Sequence, residues 1–211
     1  MDCGKVGALL YRLRREKRMT QWQVANRLRV SDKAISKWER GLGCPDVSLL
    51  AELSDLFGVN IEQILEGTVA PNAAEPGNLA RIKFYGCPYC GNVISNTGQA
   101  EISCCGRKLS PLAVQPVDDA HRATVEDTDD SYYITFNHEM RKDHYLSFVA
   151  YVANDRLVFV KLYPEQEASV ILPKAIAGRL LQRYGRKFYY YCSVHGLFEL
   201  SGSPRPPERI G

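Results

Sequence analysis

Apolar positions recur at helical spacing through the first third of the chain, then give way to short runs rich in β-branched and aromatic residues. Gly7–Lys17 carries Leu9, Leu10 and Leu13 on one stripe and predicts a first helix. Thr20 suits the N-cap of a second, with Gln23 three residues on to complete a capping box and Val24, Ala25 and Leu28 as its buried face. Val30 leads to Ser31, a second N-cap, and a third helix runs through Ile35 and Trp38 to Gly41. Two more helices are expected over Val47–Phe57, ending at Gly58, and over Ile61–Leu65. Thr68–Ala80 (TVAPNAAEPGNLA) has two prolines, little hydrophobicity and no period, so it reads as a linker. Beyond it, strands are expected at Tyr132–Phe136, Tyr145–Ala153, Arg156–Tyr163, Ala168–Leu172, Lys187–Cys192 and Leu197–Leu200, with Asn154-Asp155 as a hairpin turn.

Short helices around a tight turn, with Ala25 small enough for a close crossing, predict a helix-turn-helix core. The expected organisation is multidomain: an all-α domain over residues 1–67, a linker over 68–81, a small Cys-rich knuckle over 82–115 and an all-β domain over 116–211.

Composition narrows the class. A chain of 211 residues with 45% hydrophobic and 24% charged residues is globular and has room for more than one domain. No apolar run of about 18 residues exists, so no membrane span is expected, and residues 1–20 hold too many charges for a signal peptide. Seven cysteines without a secretory signal argue for a reducing, cytoplasmic location, where thiols bind metals more often than they pair. The net charge of +3 is too small to imply nucleic acid by itself. Its distribution says more: Lys5–Arg40 holds eleven Lys or Arg against three acids, whereas Gly41–Gly67 holds five acids and no base. One face of the helical domain is therefore basic, as a phosphate-binding surface would be.

The segment MTQWQVANRLRVSDKAISKWERG, followed by PDVSLLAELSDLFGVNIEQIL, closely resembles the Cro/phage-repressor-type (XRE) helix-turn-helix family over about residues 5–66. The resemblance implies a double-stranded DNA partner, a palindromic operator, and a homodimer on half-sites about one helical turn apart. It places Gln21 on a phosphate and Arg40 on the DNA backbone. By the same resemblance Asp32, Lys33, Ser36 and Lys37 at the start of the third helix would face base edges in the major groove, with the N-cap Ser31 also among the DNA-binding residues. The usual glycine of the inter-helix turn is Arg29 here, which implies some backbone strain.

Cys87-Pro-Tyr-Cys90-Gly-Asn opens a chelating turn and Cys104-Cys105-Gly closes it, four thiolates suited to one tetrahedral Zn2+ or iron ion. Adjacent cysteines in the second half depart from a generic zinc ribbon and resemble the desulforedoxin domain, which implies a mononuclear iron in four thiolates and leaves iron or zinc open. Cys3 and Cys44 sit in no motif and read as bystander thiols, although oxidation of Cys44, just after the third helix, would disturb DNA binding.

All four histidines, His121, His138, His144 and His195, lie in the last ninety-one residues, and His195 follows Cys192 at C-x2-H spacing. That clustering favours a metal site. HEMRKDHYL (138–146) and YCSVHGLF (191–198) resemble the signatures of superoxide reductase, the C-terminal domain of desulfoferrodoxin. The resemblance implies an immunoglobulin-like β-sandwich. It also implies an iron with His121, His138, His144 and His195 equatorial and Cys192 axial. The family carries a lysine just before its first histidine to draw in the anionic substrate. Here that position is Ala120, preceded by Asp119, in an acidic neighbourhood. The chain therefore reads as a transcription regulator sensing redox state, superoxide or iron. The alternative reading is a superoxide reductase tethered to a DNA-binding domain, an enzyme that Ala120 disfavours.

Overall fold

Helix α1 (Cys3–Glu16) starts four residues earlier than its leucine stripe predicts, because the Asp2 carboxylate accepts from the Gly4 and Lys5 amides and caps the extra turn. The computed structural model describes residues 1–75, 77–177 and 186–200, so the expected end of the last domain at residue 211 lies outside them. Within it the chain divides into two compact units, residues 1–71 and 72–211.

In the first unit α1 is followed by α2 (Gln21–Arg27), α3 (Asp32–Glu39), α4 (Leu50–Phe57) and α5 (Ile61–Glu66). The Thr20/Gln23 capping box opens α2, and the Ser31 hydroxyl accepts from the Ala34 amide to open α3. The helix expected over Val47–Phe57 is divided. Asp46 caps a short 3-10 turn, Val47–Leu49, before α4 begins, and Gly58 in the left-handed region ends α4. Val6, Leu9, Leu10, Leu13, Val24, Ala25, Leu28, Ile35, Trp38, Leu53 and Ile64 close one core. Between α2 and α3 the chain turns through Arg29 at φ 53°, the left-handed conformation expected of the glycine it replaces.

The helices approach unusually closely where α1 passes the end of α3. A Cβ on Gly7 would fall 2.1 Å from the Trp38 carbonyl oxygen, and one on Gly41 would fall 2.9 Å from the Gly4 Cα. This contact overturns one expectation. Cys3 and Cys44 are not bystander thiols: they are joined in a disulfide, with Cα atoms 5.0 Å apart across 41 residues. The lengthened α1 puts Cys3 at its first turn, against the segment that leaves α3.

The second unit begins with two hairpins, β1 (Lys83–Gly86) with β2 (Val93–Asn96) and β3 (Ile102–Cys104) with β4 (Arg107–Leu109). The remaining strands are β5 (Val114–Gln115), β6 (Ala123–Asp127), β7 (Ser131–Phe136), β8 (Leu146–Val152), β9 (Leu157–Lys161), β10 (Ser169–Pro173), β11 (Lys187–Cys192) and β12 (Gly196–Glu199). They form a three-stranded sheet, β10-β7-β6, and a five-stranded sheet, β5-β12-β11-β8-β9, antiparallel except where β5 runs parallel to β12. Each expected strand is present within one or two residues, and the turn at Asn154-Asp155 joins β8 to β9. Strands β1–β6 lie outside the expected set; in β6 the alternation of Ala123, Thr124, Val125 and Glu126 ends at the exposed Asp127.

The two sheets face each other as a sandwich. Tyr132, Ile134 and Phe136 of β7 and Val170 and Leu172 of β10 pack on Leu146, Val149, Tyr151, Phe188, Tyr190 and Phe198. Strand β8 is buried along its whole length, and its other face (Phe148, Ala150, Val152) is covered by Ile82 and Phe84. The knuckle's first strand thereby shares a core with the five-stranded sheet, Phe84 and Phe148 standing 5.4 Å apart.

Candidate metal centres and nucleic-acid interface

Three irregular stretches at one end of the sandwich carry the histidines. His121 closes a 3-10 turn (Asp119–His121) that leads into β6. His138 and His144 lie in the loop between β7 and β8. Cys192 ends β11, where the ladder to β8 slips register at Tyr191/Cys192, and His195 sits in the turn to β12. Cys192 is fully buried there. One nitrogen from each of the four histidines and the Cys192 sulfur all lie within 4.8 Å of one another.

Supporting contacts orient the rings. Asp118 Oδ1 lies 2.5 Å from His121 Nδ1, Glu139 Oε1 lies 2.6 Å from His144 Nδ1, and the Glu139 carbonyl lies against His138 Nδ1. Each contact occupies Nδ1 and leaves Nε2 for the cluster. His195 is turned the other way: its Nδ1 stands 3.1 Å from His121 Nε2, 3.2 Å from His144 Nε2 and 3.5 Å from Cys192 Sγ. His138 Nε2 is buried without a hydrogen-bond partner. Four imidazole nitrogens and a sulfur facing one point, one of them orphaned, fit a metal ion better than any mutual hydrogen-bonding scheme. Carboxylates and carbonyls on the far nitrogens are the usual supports of metal-binding histidines.

The electrostatics agree. The hydrogen bond from His121 holds the Asp118 carboxyl below its ordinary range, and that from His144 does the same for Glu139. Burial lowers His138, favouring the neutral ligand form. Burial also pushes the Cys192 thiol up, opposed by the His195 and Val194 amides that donate to its sulfur. A bound cation would offset that burial and hold the sulfur as thiolate. Behind the site, Phe198 stacks on His121 at 4.2 Å and the Tyr190 hydroxyl donates to the His121 carbonyl. Ala120 is exposed beside His121, and Arg122 is paired with Asp119.

The second cluster spans both knuckle hairpins. Cys87 opens the turn after β1, Cys90 follows in the same turn, Cys104 ends β3 and Cys105 lies in the turn to β4, all four sulfurs lying within 4.8 Å. Cys105 takes a left-handed φ of 50°. Hydrogen bonds from the Cys90 and Tyr89 amides lower the Cys87 thiol to about 6, which favours the thiolate that a metal ion takes as ligand.

On the first unit, Asp32, Lys33 and Lys37 are exposed along α3 and Ser36 is half-buried. Ser31 is engaged in capping, and Arg40 Nε donates to the Ser36 carbonyl, folding the side chain back along the helix. Gln21 Nε2 donates to Glu39 Oε2 at 2.8 Å, and Glu39 is itself gripped by Arg14. Arg14 and Glu39, the pair that holds Gln21, were not among the expected site residues, nor were Asp118 and Glu139, which support the histidines. Asp118, three residues before His121 on one turn, was the available signal.

Comparison with known proteins follows the same division. Residues 10–64 match the family model described as Helix-turn-helix. Over 74 residues the chain is 42% identical to the HTH-type transcriptional activator BcrR of Enterococcus faecalis, covering 35% of this chain and 36% of that protein, about a third of its length. The desulfoferrodoxin of Syntrophotalea carbinolica is 28% identical over 130 residues, covering 58% of this chain and 98% of its own. The chain joins a helix-turn-helix domain to a desulfoferrodoxin-like region. The superoxide reductase from Treponema pallidum superposes with a TM-score of 0.45 and 15% identity over 57% of this chain and 98% of its own. Among the described residues no helix is long and apolar enough to cross a membrane.

Proposed function

We propose that this protein is a DNA-binding transcription regulator whose desulfoferrodoxin-like region holds iron and reports redox state, superoxide or iron supply to the helix-turn-helix domain. The observation that carries the reading is the convergence of His121, His138, His144, His195 and Cys192 in the same chain as that domain. Iron bound there supplies one-electron chemistry. The chain's own residues do the rest. Asp118 and Glu139 fix the tautomers of His121 and His144, and the Val194 and His195 amides stabilise the Cys192 sulfur as an anion. Cys87, Cys90, Cys104 and Cys105 hold a second ion, iron or zinc.

In the first unit Lys33, Lys37 and Asp32 meet base edges, joined by Ser36, while Gln21, Ser31 and Arg40 meet the DNA backbone. The protein acts as a cytoplasmic homodimer on a palindromic operator. The test is metal content and the visible spectrum of protein purified without oxygen and then titrated with oxidant, with operator affinity measured in the reduced, oxidised and metal-free forms. A thiolate-to-iron band that appears on oxidation and is absent in Cys192→Ser, together with a change in affinity, supports the sensor. Equal affinity in all three forms overturns it. Superoxide consumed at near-diffusional rates would favour the enzyme reading instead.

A further inference from the structure

The first unit holds a cysteine pair apart from both metal-ligand clusters. Cys3 and Cys44 are joined, whereas Cys87, Cys90, Cys104, Cys105 and Cys192 are free. Five free thiols gathered as ligand sets imply a compartment in which thiols persist. There a disulfide is reversible and is used for sensing or catalysis rather than for permanent strength. Both sulfur-bearing residues are only half-buried, so small oxidants and reductants reach them.

Their position matters because of what the bond holds. Cys3 begins α1, and Cys44 lies in the segment between α3 and the 3-10 turn at Val47. That segment leaves α3 through hydrogen bonds from the Gly41 amide to the Trp38 carbonyl (2.8 Å) and from the Leu42 amide to the Lys37 carbonyl (3.0 Å). Gly43 lies against the Lys37 side chain, close enough that a Cβ there would be 3.2 Å from Lys37 Cε. Gly41 backs onto Gly4 of α1. The disulfide therefore fastens to α1 the short segment on which Lys37 rests.

We propose that Cys3 and Cys44 form a thiol–disulfide couple, oxidised by hydroperoxide, whose closed state fixes Lys37 and the end of α3 in the DNA-facing arrangement. The inference rests on the reading of α3 as the DNA-facing helix and is independent of any metal. The chemistry balances with hydrogen peroxide as the two-electron oxidant. One thiolate attacks a peroxide oxygen and breaks the O–O bond, giving a sulfenic acid and hydroxide, which takes up a proton to leave as water. The other thiol attacks the sulfenic sulfur, forms the S–S bond and releases a second water. Two thiols and one peroxide give one disulfide and two waters. A dithiol reductant reverses it by exchange.

The experiment uses the full-length, metal-loaded protein, reduced with dithiothreitol or treated with hydrogen peroxide, alongside Cys3→Ser/Cys44→Ser. Differential alkylation and peptide mass mapping read the thiols. Fluorescence anisotropy reads affinity for a labelled duplex enriched from a random-sequence library on the peroxide-treated protein. The expected result is a linked Cys3–Cys44 peptide pair after peroxide that dithiothreitol undoes, with affinity roughly fivefold weaker on reduction. The double variant should bind like reduced protein in both conditions. Cys3 and Cys44 peptides still alkylatable after peroxide would overturn the couple. Unchanged wild-type affinity, or a double variant that still responds to peroxide, would overturn the switch and in the second case assign the response to the metal sites. If no duplex is enriched, the DNA-facing reading of α3 falls and the switch with it, while the peptide map still decides whether the couple exists.

Discussion

Arg14 of α1 and Glu39 of α3 meet guanidinium to carboxylate through two hydrogen bonds of 2.6 and 2.8 Å, their side chains only 9% and 5% exposed. Arg14 also donates to the Met19 carbonyl, and Glu39 accepts from Gln21, so the pair links α1, the turn before α2, and α3. Removing one partner strands a buried charge, which costs about 3–5 kcal/mol. Glu39→Ala should therefore lower the unfolding free energy of the helical unit by about 3 kcal/mol, read from urea unfolding followed by circular dichroism. Arg14→Met/Glu39→Leu should lose less than either single change, since an apolar pair of similar volume leaves no stranded charge. A double variant as unstable as the sum of the singles would refute this account of the pair.

Arg29 gives a test of opposite sign. It holds φ 53° in the turn between α2 and α3 with its side chain exposed. An L-residue pays roughly 1–2 kcal/mol there, of which glycine's extra freedom in the unfolded chain cancels a part. Arg29→Gly should stabilise the unit by about 0.5–1 kcal/mol, visible as a higher urea midpoint at unchanged slope. A lower midpoint would mean that the Arg29 side chain contributes more than its backbone costs.

Asp118 supports His121 from outside the ligand cluster, so its effect should fall on retention of the ion. Asp118→Asn should weaken metal binding at the histidine site by about 10–100-fold, read by competition with a chromophoric chelator. The four-cysteine site, which Asp118 does not touch, should keep its ion. Equal loss from both sites would point to general unfolding instead.

How much of this was legible beforehand depends on the range over which each signal acts. Thr20 with Gln23 and Ser31 with Ala34 act within one turn, so capping residues announce their own helices. The ligand sets were legible because each is built from short spacings: Cys87 with Cys90, Cys104 with Cys105, Cys192 with His195. What stayed hidden is joined only by the fold. Cys3 meets Cys44 across 41 residues because Gly4, Gly7 and Gly41 let two backbones touch. Glu39 reaches Arg14 across 25 residues, and a glutamate between Lys37 and Arg40 looks like surface charge until the partner helix is in place. Strand β6 escaped for a different reason. Its alternation spans only four residues before the exposed Asp127 breaks it, and pairing with β7 supplies what its own sequence does not.

Where the resemblance to superoxide reductase implies a lysine, this chain has Ala120, exposed, with Asp118 and Asp119 preceding it and Arg122 turned onto Asp119. A small anion approaching the histidine cluster therefore meets carboxylates, and the Arg122 and Arg141 guanidinium groups are engaged by Asp119 and by Glu139 and Asp143. Iron-loaded protein should consume superoxide slowly for that reason. Ala120→Lys should speed the bimolecular step by about tenfold, with a gain that shrinks as salt is raised, because steering by one exposed charge is screened over about 8–10 Å at moderate ionic strength. Pulse radiolysis of the wild type and Ala120→Lys at two salt concentrations would measure both effects. A wild type already near the diffusional rate would show that the cation is dispensable at this site. A faster variant with no salt dependence would show that the lysine acts by donating a proton or hydrogen bond rather than by drawing the anion in.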